Sequence, residues 1–254
     1  MRFGICCGLE YIELLKREGY DYCELNFSKI TTCEEEEFQA IKEEIFRVGL
    51  PAEAYNGFFG SKVSLNAEVD YDFIREYCRI GFARTKQLGG KVAVLGSGGA
   101  RRIPEGYDRS LAEEQFVKVL RICGEEAAKQ DMVVAIEPLR ERECNFINTV
   151  EEGLDFVRRA GHPNVKCLAD FFHVASSGEP LTAIEEAKHL LAHVHLAMPD
   201  TRYYPTTKDE EICKTWSLAL KQCGYDARIS LEGKAMPDFE TAIKEAKKAL
   251  ELFR

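Results

Sequence analysis

Eight short apolar runs punctuate the chain, and each is followed by a stretch with helical periodicity. The runs are Phe3–Cys7, Tyr22–Asn26, Ala52–Asn56, Val92–Gly96, Met132–Glu137, Val165–Asp170, Ala192–Ala197 and Arg228–Glu232. Short continuous apolar runs of this kind fit strands buried on both faces, as in parallel sheets. Between them, apolar residues recur three and four positions apart. Phe38, Ile41, Ile45 and Val48 share one helical face, with Gly49 placed to end the helix. Ser110–Glu113 reads as a capping box ahead of Phe116, Leu120 and Ala127, and Thr149–Glu152 as another ahead of Leu154 and Val157. Asp238 is the expected cap of a last helix that carries Phe239, Ile243, Ala246 and Leu250.

Strands alternating with helices pair in parallel through right-handed crossovers. Eight such units in 254 residues suit a closed (β/α)8 TIM barrel, for which roughly 250 residues is usual. A doubly wound open sheet would more often carry a glycine fingerprint after its first strand, and Cys6-Cys7-Gly8-Leu9-Glu10 is not one. No linker, low-complexity tract or composition break divides the chain. Residues 1–254 therefore read as one barrel domain.

Composition then removes some function classes. The net charge is −9, with both signs interspersed, and a negative field repels phosphate backbones, so nucleic acid is not an expected partner. No apolar run approaches the ~20 residues that span a bilayer, and the first residues do not form a signal peptide. The ten cysteines are scattered without a CxxC pair. They read as reduced, buried thiols and point to the cytoplasm.

In such a barrel, reactive groups sit where the strands end, on the carboxyl-terminal face. The fifth run stops at Glu137, the sixth at Asp170, and the eighth at Glu232, while the seventh carries His193 and His195 on one side. Four successive strands thus deliver Glu, Asp, His and Glu to one rim. Singly, these are ordinary caps, ion pairs or core histidines; together they would repel one another unless a cation or protons compensate. Three carboxylates and one imidazole suit Mn²⁺ first, with Mg²⁺, Co²⁺ or Zn²⁺ as alternatives.

The segments Ile136-Glu137-Pro138-Leu139, Leu168–His173, His193–Ala197 with Arg202, and Ser230-Leu231-Glu232-Gly233 resemble the xylose isomerase-like barrel superfamily. Within it they are similar to the sugar phosphate isomerase/epimerase branch, which includes ketose 3-epimerases and hydroxypyruvate isomerases. The resemblance implies that Glu137, Asp170, His195 and Glu232 hold the metal and that Glu137 and Glu232 also exchange the proton. It implies substrate contacts from His173 and Arg202, and from Glu143, Glu24, Asn56 and Ser97. The expected partner is a small sugar or sugar phosphate, with no membrane and with room for a homo-oligomer.

The chemistry agrees with the resemblance. Chelating a carbonyl and its neighbouring hydroxyl acidifies the adjacent C–H. One carboxylate can then remove the proton to give an enediolate, and a second can return it on the opposite face. Three other readings compete: a dehydratase on the same fold, an abasic-site endonuclease, and a sugar-binding barrel without catalysis. The endonuclease needs a histidine-rich metal cluster and a basic groove, whereas this chain has five histidines and is acidic.

Two further features stand at the rim. The loop Gly96–Arg102 reads either as a phosphate cradle or as a tight turn with exposed arginines beside the site. Tyr55, Phe58, Phe59, Tyr203 and Tyr204 read as packing of the rim loops, with a water-excluding lid as the alternative.

Overall fold

The strands fall where the apolar runs stand: β1 (Arg2–Cys6), β2 (Tyr22–Asn26), β3 (Ala52–Asn56), β4 (Val92–Leu95), β5 (Val133–Ile136), β6 (Val165–Asp170), β7 (Leu191–Leu196) and β8 (Arg228–Leu231). The computed structural model describes residues 1–60 and 63–254. In it the eight strands close into one parallel barrel in sequence order, β1 pairing with both β2 and β8. The fold is thus the (β/α)8 barrel.

The fifth and eighth strands end one residue before the glutamates predicted to lie within them. Both glutamates are nonetheless pinned. The Glu137 N–H donates to the Leu95 carbonyl at 3.2 Å, and the Glu232 N–H donates to the Leu196 carbonyl at 3.3 Å. Each acid is fixed by the last carbonyl of the preceding strand, so its side chain is aimed by the barrel and not by a free loop.

The helices are α1 (Ile12–Arg17), α2 (Phe27–Thr32), α3 (Glu35–Val48), α4 (Tyr71–Gln87), α5 (Gly98–Arg101), α6 (Arg109–Ala128), α7 (Val150–Ala160), α8 (Phe171–Ser176), α9 (Thr182–Ala187), α10 (Glu210–Cys223) and α11 (Phe239–Leu250). Thr149 and Asp238 cap α7 and α11 as the sequence implies. Ser110 does not cap α6. Asp108 does, accepting from the Leu111 N–H at 2.8 Å, and the helix begins at Arg109. A carboxylate one position ahead of the helix outcompetes a serine already inside its first turn.

Two apolar layers hold the barrel. Most buried residues lie between the strands and the helices. A smaller, separate cluster of Tyr22, Ala54, Val92, Val94, Ala135 and Leu168 fills the interior, crossed by a Tyr22 hydroxyl–Ser230 Oγ hydrogen bond of 2.9 Å. Strand side chains two residues apart share a face. The next inward position along each of these strands is therefore Glu24, Asn56, Gly96, Glu137 and Asp170, with His195 and Glu232 following His193 and Ser230. An apolar plug below thus fixes a polar layer above.

Among the described residues, no helix is long and apolar enough to cross a membrane. All ten cysteines are free, and seven are buried while Cys6, Cys7 and Cys33 are partly exposed. Burial of seven matches the expectation for buried thiols, and of the other three Cys6 stands on the inward row of the barrel, two residues beyond Gly4.

Candidate metal centre

One donor atom from each of Glu137, Asp170, His195 and Glu232 lies within 4.8 Å of the others. A register shift between β6 and β7 at Cys167/Leu168 sets Asp170 opposite His195. His195 Nδ1 is 3.2 Å from Glu137 Oε1 and 3.6 Å from Glu232 Oε2. Asp170 is also the amino-terminal cap of α8, its Oδ1 accepting from the Phe172 N–H at 2.9 Å. The cap uses one oxygen only. Oδ2 is buried with no hydrogen-bond partner.

The electrostatics show why the group needs compensation. Burial, then the charges of Glu232 and Glu137, push the Asp170 carboxyl up to about 8. Burial and the Glu232 charge raise Glu137 as well. Glu232 moves the other way, to about 2: burial opposes this, but His195 and Arg202 outweigh it. Burial pulls His195 down, yet the carboxylates of Glu24 and Glu232 lift it well above the usual histidine range. Left to themselves, these groups must share protons. A divalent cation can replace those protons, and three carboxylates, one imidazole and an unpartnered Oδ2 fit a hard or borderline ion.

Glu24, expected to contact the sugar, turns its carboxylate to the two histidines of β7. It is fully buried beneath the centre, and both oxygens are engaged, Oε1 with His195 Nε2 at 3.0 Å and Oε2 with His193 Nε2 at 2.9 Å. Burial opposes its ionisation, but the charges of His195 and His193 outweigh that and hold it well below the usual carboxylate range. The arrangement fixes the His195 ring from below and leaves Nδ1 facing the carboxylates, as second ligands of metal-bound imidazoles do. His193 completes this support, although the sequence marked it only as a neighbour of His195.

His173 stands beside the cluster. Its Nε2 is 3.4 Å from Asp170 Oδ2 and 3.8 Å from Glu143 Oε2, buried and without a hydrogen-bond partner. Burial, then the charge of Arg202, lower its pKa to about 3, so the ring is neutral. Nδ1 faces the Arg140 N–H at 3.5 Å, which assigns the proton to Nε2. Arg202 donates to Glu232 Oε2 at 2.8 Å and lies 3.6 Å from Glu143 Oε1. Its backbone is left-handed, with φ +56°, and its carbonyl accepts from the Lys234 N–H at 2.7 Å. A side chain at Gly233 would collide with that carbonyl.

Arg140 was not foreseen. It donates to Glu143 Oε1 at 2.8 Å, and both its guanidinium and that of Arg202 lie over the Phe172 ring, at 4.6 and 4.7 Å from the centroid. Two cations on one aromatic ring, bridged by Glu143, make a rigid wall next to His173.

Asn56 ends β3 on the inward row, half-buried. Ser97 Oγ instead accepts from the Phe59 N–H at 2.9 Å and lies 3.4 Å from the Phe59 carbonyl, so it ties two rim loops together. Arg102 is exposed, as the tight-turn reading of this loop expects, but Arg101 fits neither reading. It is fully buried and donates to the carbonyls of Leu95 and Ile147 at 3.3 and 3.4 Å, out of reach of a phosphate. Gly96 has a tighter role: an added Cβ would strike Glu137 Oε2. Of the rim aromatics, Tyr55, Phe58, Phe59 and Tyr204 are buried and Tyr203 is exposed. Packing describes the first four, with Phe27 and Phe58 stacked at 4.2 Å. Cys6, which the sequence did not single out, forms a second group with His195 and Glu232, again with donor atoms within 4.8 Å.

Known proteins share this arrangement of chain. A 3-dehydro-D-guloside 4-epimerase of Escherichia coli is 27% identical over 211 residues, covering 78% of this chain and 76% of its own. A human putative hydroxypyruvate isomerase is 28% identical over 141 residues, about half of each chain (52% and 51%). The crystal structure of a 3-keto-D-glucoside 4-epimerase from E. coli superposes with a TM-score of 0.83 over 99% of both chains, at 20% identity. Residues 12–254 match the xylose isomerase-like TIM barrel family, and the chain belongs to it.

Proposed function

We propose that this chain is a divalent-metal-dependent epimerase or isomerase of a small ketose or ketose phosphate. The observation that carries the reading is the pair Glu137 and Glu232. They rise from β5 and β8, which are not neighbours, and both approach His195 Nδ1, at 3.2 and 3.6 Å. Two acids on separate strands can flank a bound sugar. The names of the curated relatives, a sugar 4-epimerase and a putative hydroxypyruvate isomerase, support the same class of chemistry.

In this reading Glu137, Asp170, His195 and Glu232 hold the ion, with Mn²⁺ the best match to three oxygens and one nitrogen. The bound ion would polarise the sugar carbonyl and an adjacent hydroxyl, lowering the cost of ionising the neighbouring C–H by several kcal/mol. One glutamate takes the proton from that carbon. For epimerisation the other returns a proton to the opposite face; for isomerisation the proton goes back to the neighbouring carbon. His173 donates its Nε2–H to a sugar oxygen. Arg202 and Glu143 fix the hydroxyls beyond it, and the buried Phe172 keeps water from that side.

The test is turnover of four- to six-carbon ketoses and their phosphates in heavy water. Deuterium is expected on the carbon that changes configuration or receives the hydrogen. Glu232→Gln keeps an oxygen donor but cannot accept a proton, so it should bind metal and lose turnover. A Glu232→Gln protein with wild-type metal content and rate would overturn the reading.

A further inference from the structure

We propose that Cys6, His195 and Glu232 form a second cation position, one that contains sulfur and shares two donors with the oxygen-rich centre. The inference rests on that centre being a metal site. Cys6 ends β1, which pairs with β2 and β8 in the closed barrel. The same inward alternation that lifts Glu24 and Glu232 into the polar layer also lifts Cys6, two residues beyond Gly4. One donor atom from each of Cys6, His195 and Glu232 lies within 4.8 Å of the other two, whereas Cys6 is not in the group formed with Glu137 and Asp170. One ion cannot take all five donors from these positions. The barrel therefore offers two overlapping sets, a hard one on the β5–β6 side and a softer one on the β8–β1 side.

Donor chemistry decides which ion goes where. Carboxylate oxygens favour Mn²⁺ and Mg²⁺, whereas a thiolate with an imidazole favours Zn²⁺, Cd²⁺ and Co²⁺. The thiol loses its proton to solvent when it ligates, and no other bond changes. Because His195 and Glu232 belong to both sets, an ion on Cys6 competes with an ion on Glu137 and Asp170. The consequence is ion discrimination: a thiophilic ion is drawn away from Glu137 and Asp170 and onto Cys6, while it still occupies Glu232. The third buried cluster, Glu24, His193 and His195, offers no such position, since both Glu24 oxygens are already engaged by the two rings.

The experiment uses the full chain loaded with Co²⁺. A thiolate-to-cobalt charge-transfer band is expected in the near ultraviolet, present in wild type and in Cys7→Ser and lost in Cys6→Ser. Cd²⁺ should displace Mn²⁺ from wild type at a concentration about tenfold or more below that needed for Cys6→Ser. If Cys6→Ser does not fold, X-ray absorption of the zinc-loaded wild-type chain replaces it, with a sulfur neighbour expected at about 2.3 Å. Stoichiometric Co²⁺ or Zn²⁺ surrounded by oxygen and nitrogen alone overturns this proposal and leaves the oxygen-rich centre standing. A band that persists in Cys6→Ser also overturns it. Failure of wild type to bind Co²⁺, Zn²⁺ or Mn²⁺ would sink both this proposal and the reading it rests on.

Discussion

His195 Nε2 lies 3.0 Å from Glu24 Oε1, and this contact decides which ring nitrogen faces the carboxylates above. A histidine that donates Nε2–H downward presents Nδ1 as a lone pair. Glu24→Gln can no longer hold both His193 and His195 by ionic hydrogen bonds. Its Mn²⁺ affinity should fall by roughly 10–100-fold, the usual effect of losing such a support. Isothermal titration of the folded variant checks this; unchanged affinity would show that the ring is held by packing alone.

The metal-free chain should lose stability as the pH rises. Asp170 has a folded pKa of about 8, above the ~3.9 of an unfolded aspartate. A group raised in this way stabilises the fold fully at low pH, and that contribution is lost as pH climbs from the unfolded to the folded value. Asp170→Asn retains an Oδ1 cap for α8 and removes the buried charge. Its metal-free Tm should therefore decline less between pH 5 and 8, a window chosen roughly within those limits. Parallel Tm curves for the two proteins would contradict the assignment of that carboxyl.

Gly96 tests the packing of the centre without touching a donor. The Cβ of Gly96→Ala would meet Glu137 Oε2 and push the carboxylate out of place. A displacement near 1 Å costs about 10²-fold in rate when geometry is tight. The expected variant is folded, with kcat down by about that factor and weaker metal binding. Wild-type kcat would mean that Glu137 has room to move.

His173 and Arg202 separate substrate binding from metal binding. His173→Ala removes the unpartnered Nε2–H donor, and Arg202→Ala removes one of the two guanidinium groups over Phe172. Each should raise KM or lower kcat by about tenfold or more, with metal content unchanged by elemental analysis. Loss of metal in His173→Ala would move that ring into the coordination set.

Much of this was legible from alternation alone. The eight runs located the strands because strands covered on both faces stay apolar, and the acids stood out where the runs stopped. Depth was harder to read. Glu24 lies on the same inward row as Glu137, yet β2 delivers it beneath His195, and pairing offsets between strands are not visible in one sequence. Arg101 looked exposed beside three glycines, but α5 folds it inward onto the carbonyls of Leu95 and Ile147. Cys6 passed for one more apolar residue in its strand. Counting two positions from Gly4 along the inward row would have found it.

The central claim is a single divalent ion held by Glu137, Asp170, His195 and Glu232. Its most direct test is metal stoichiometry after reconstitution with Mn²⁺ and removal of free ion. The wild-type chain should keep one equivalent, while Asp170→Ala and His195→Ala, shown to be folded by circular dichroism, should keep almost none. A full equivalent retained in both variants would contradict the assignment.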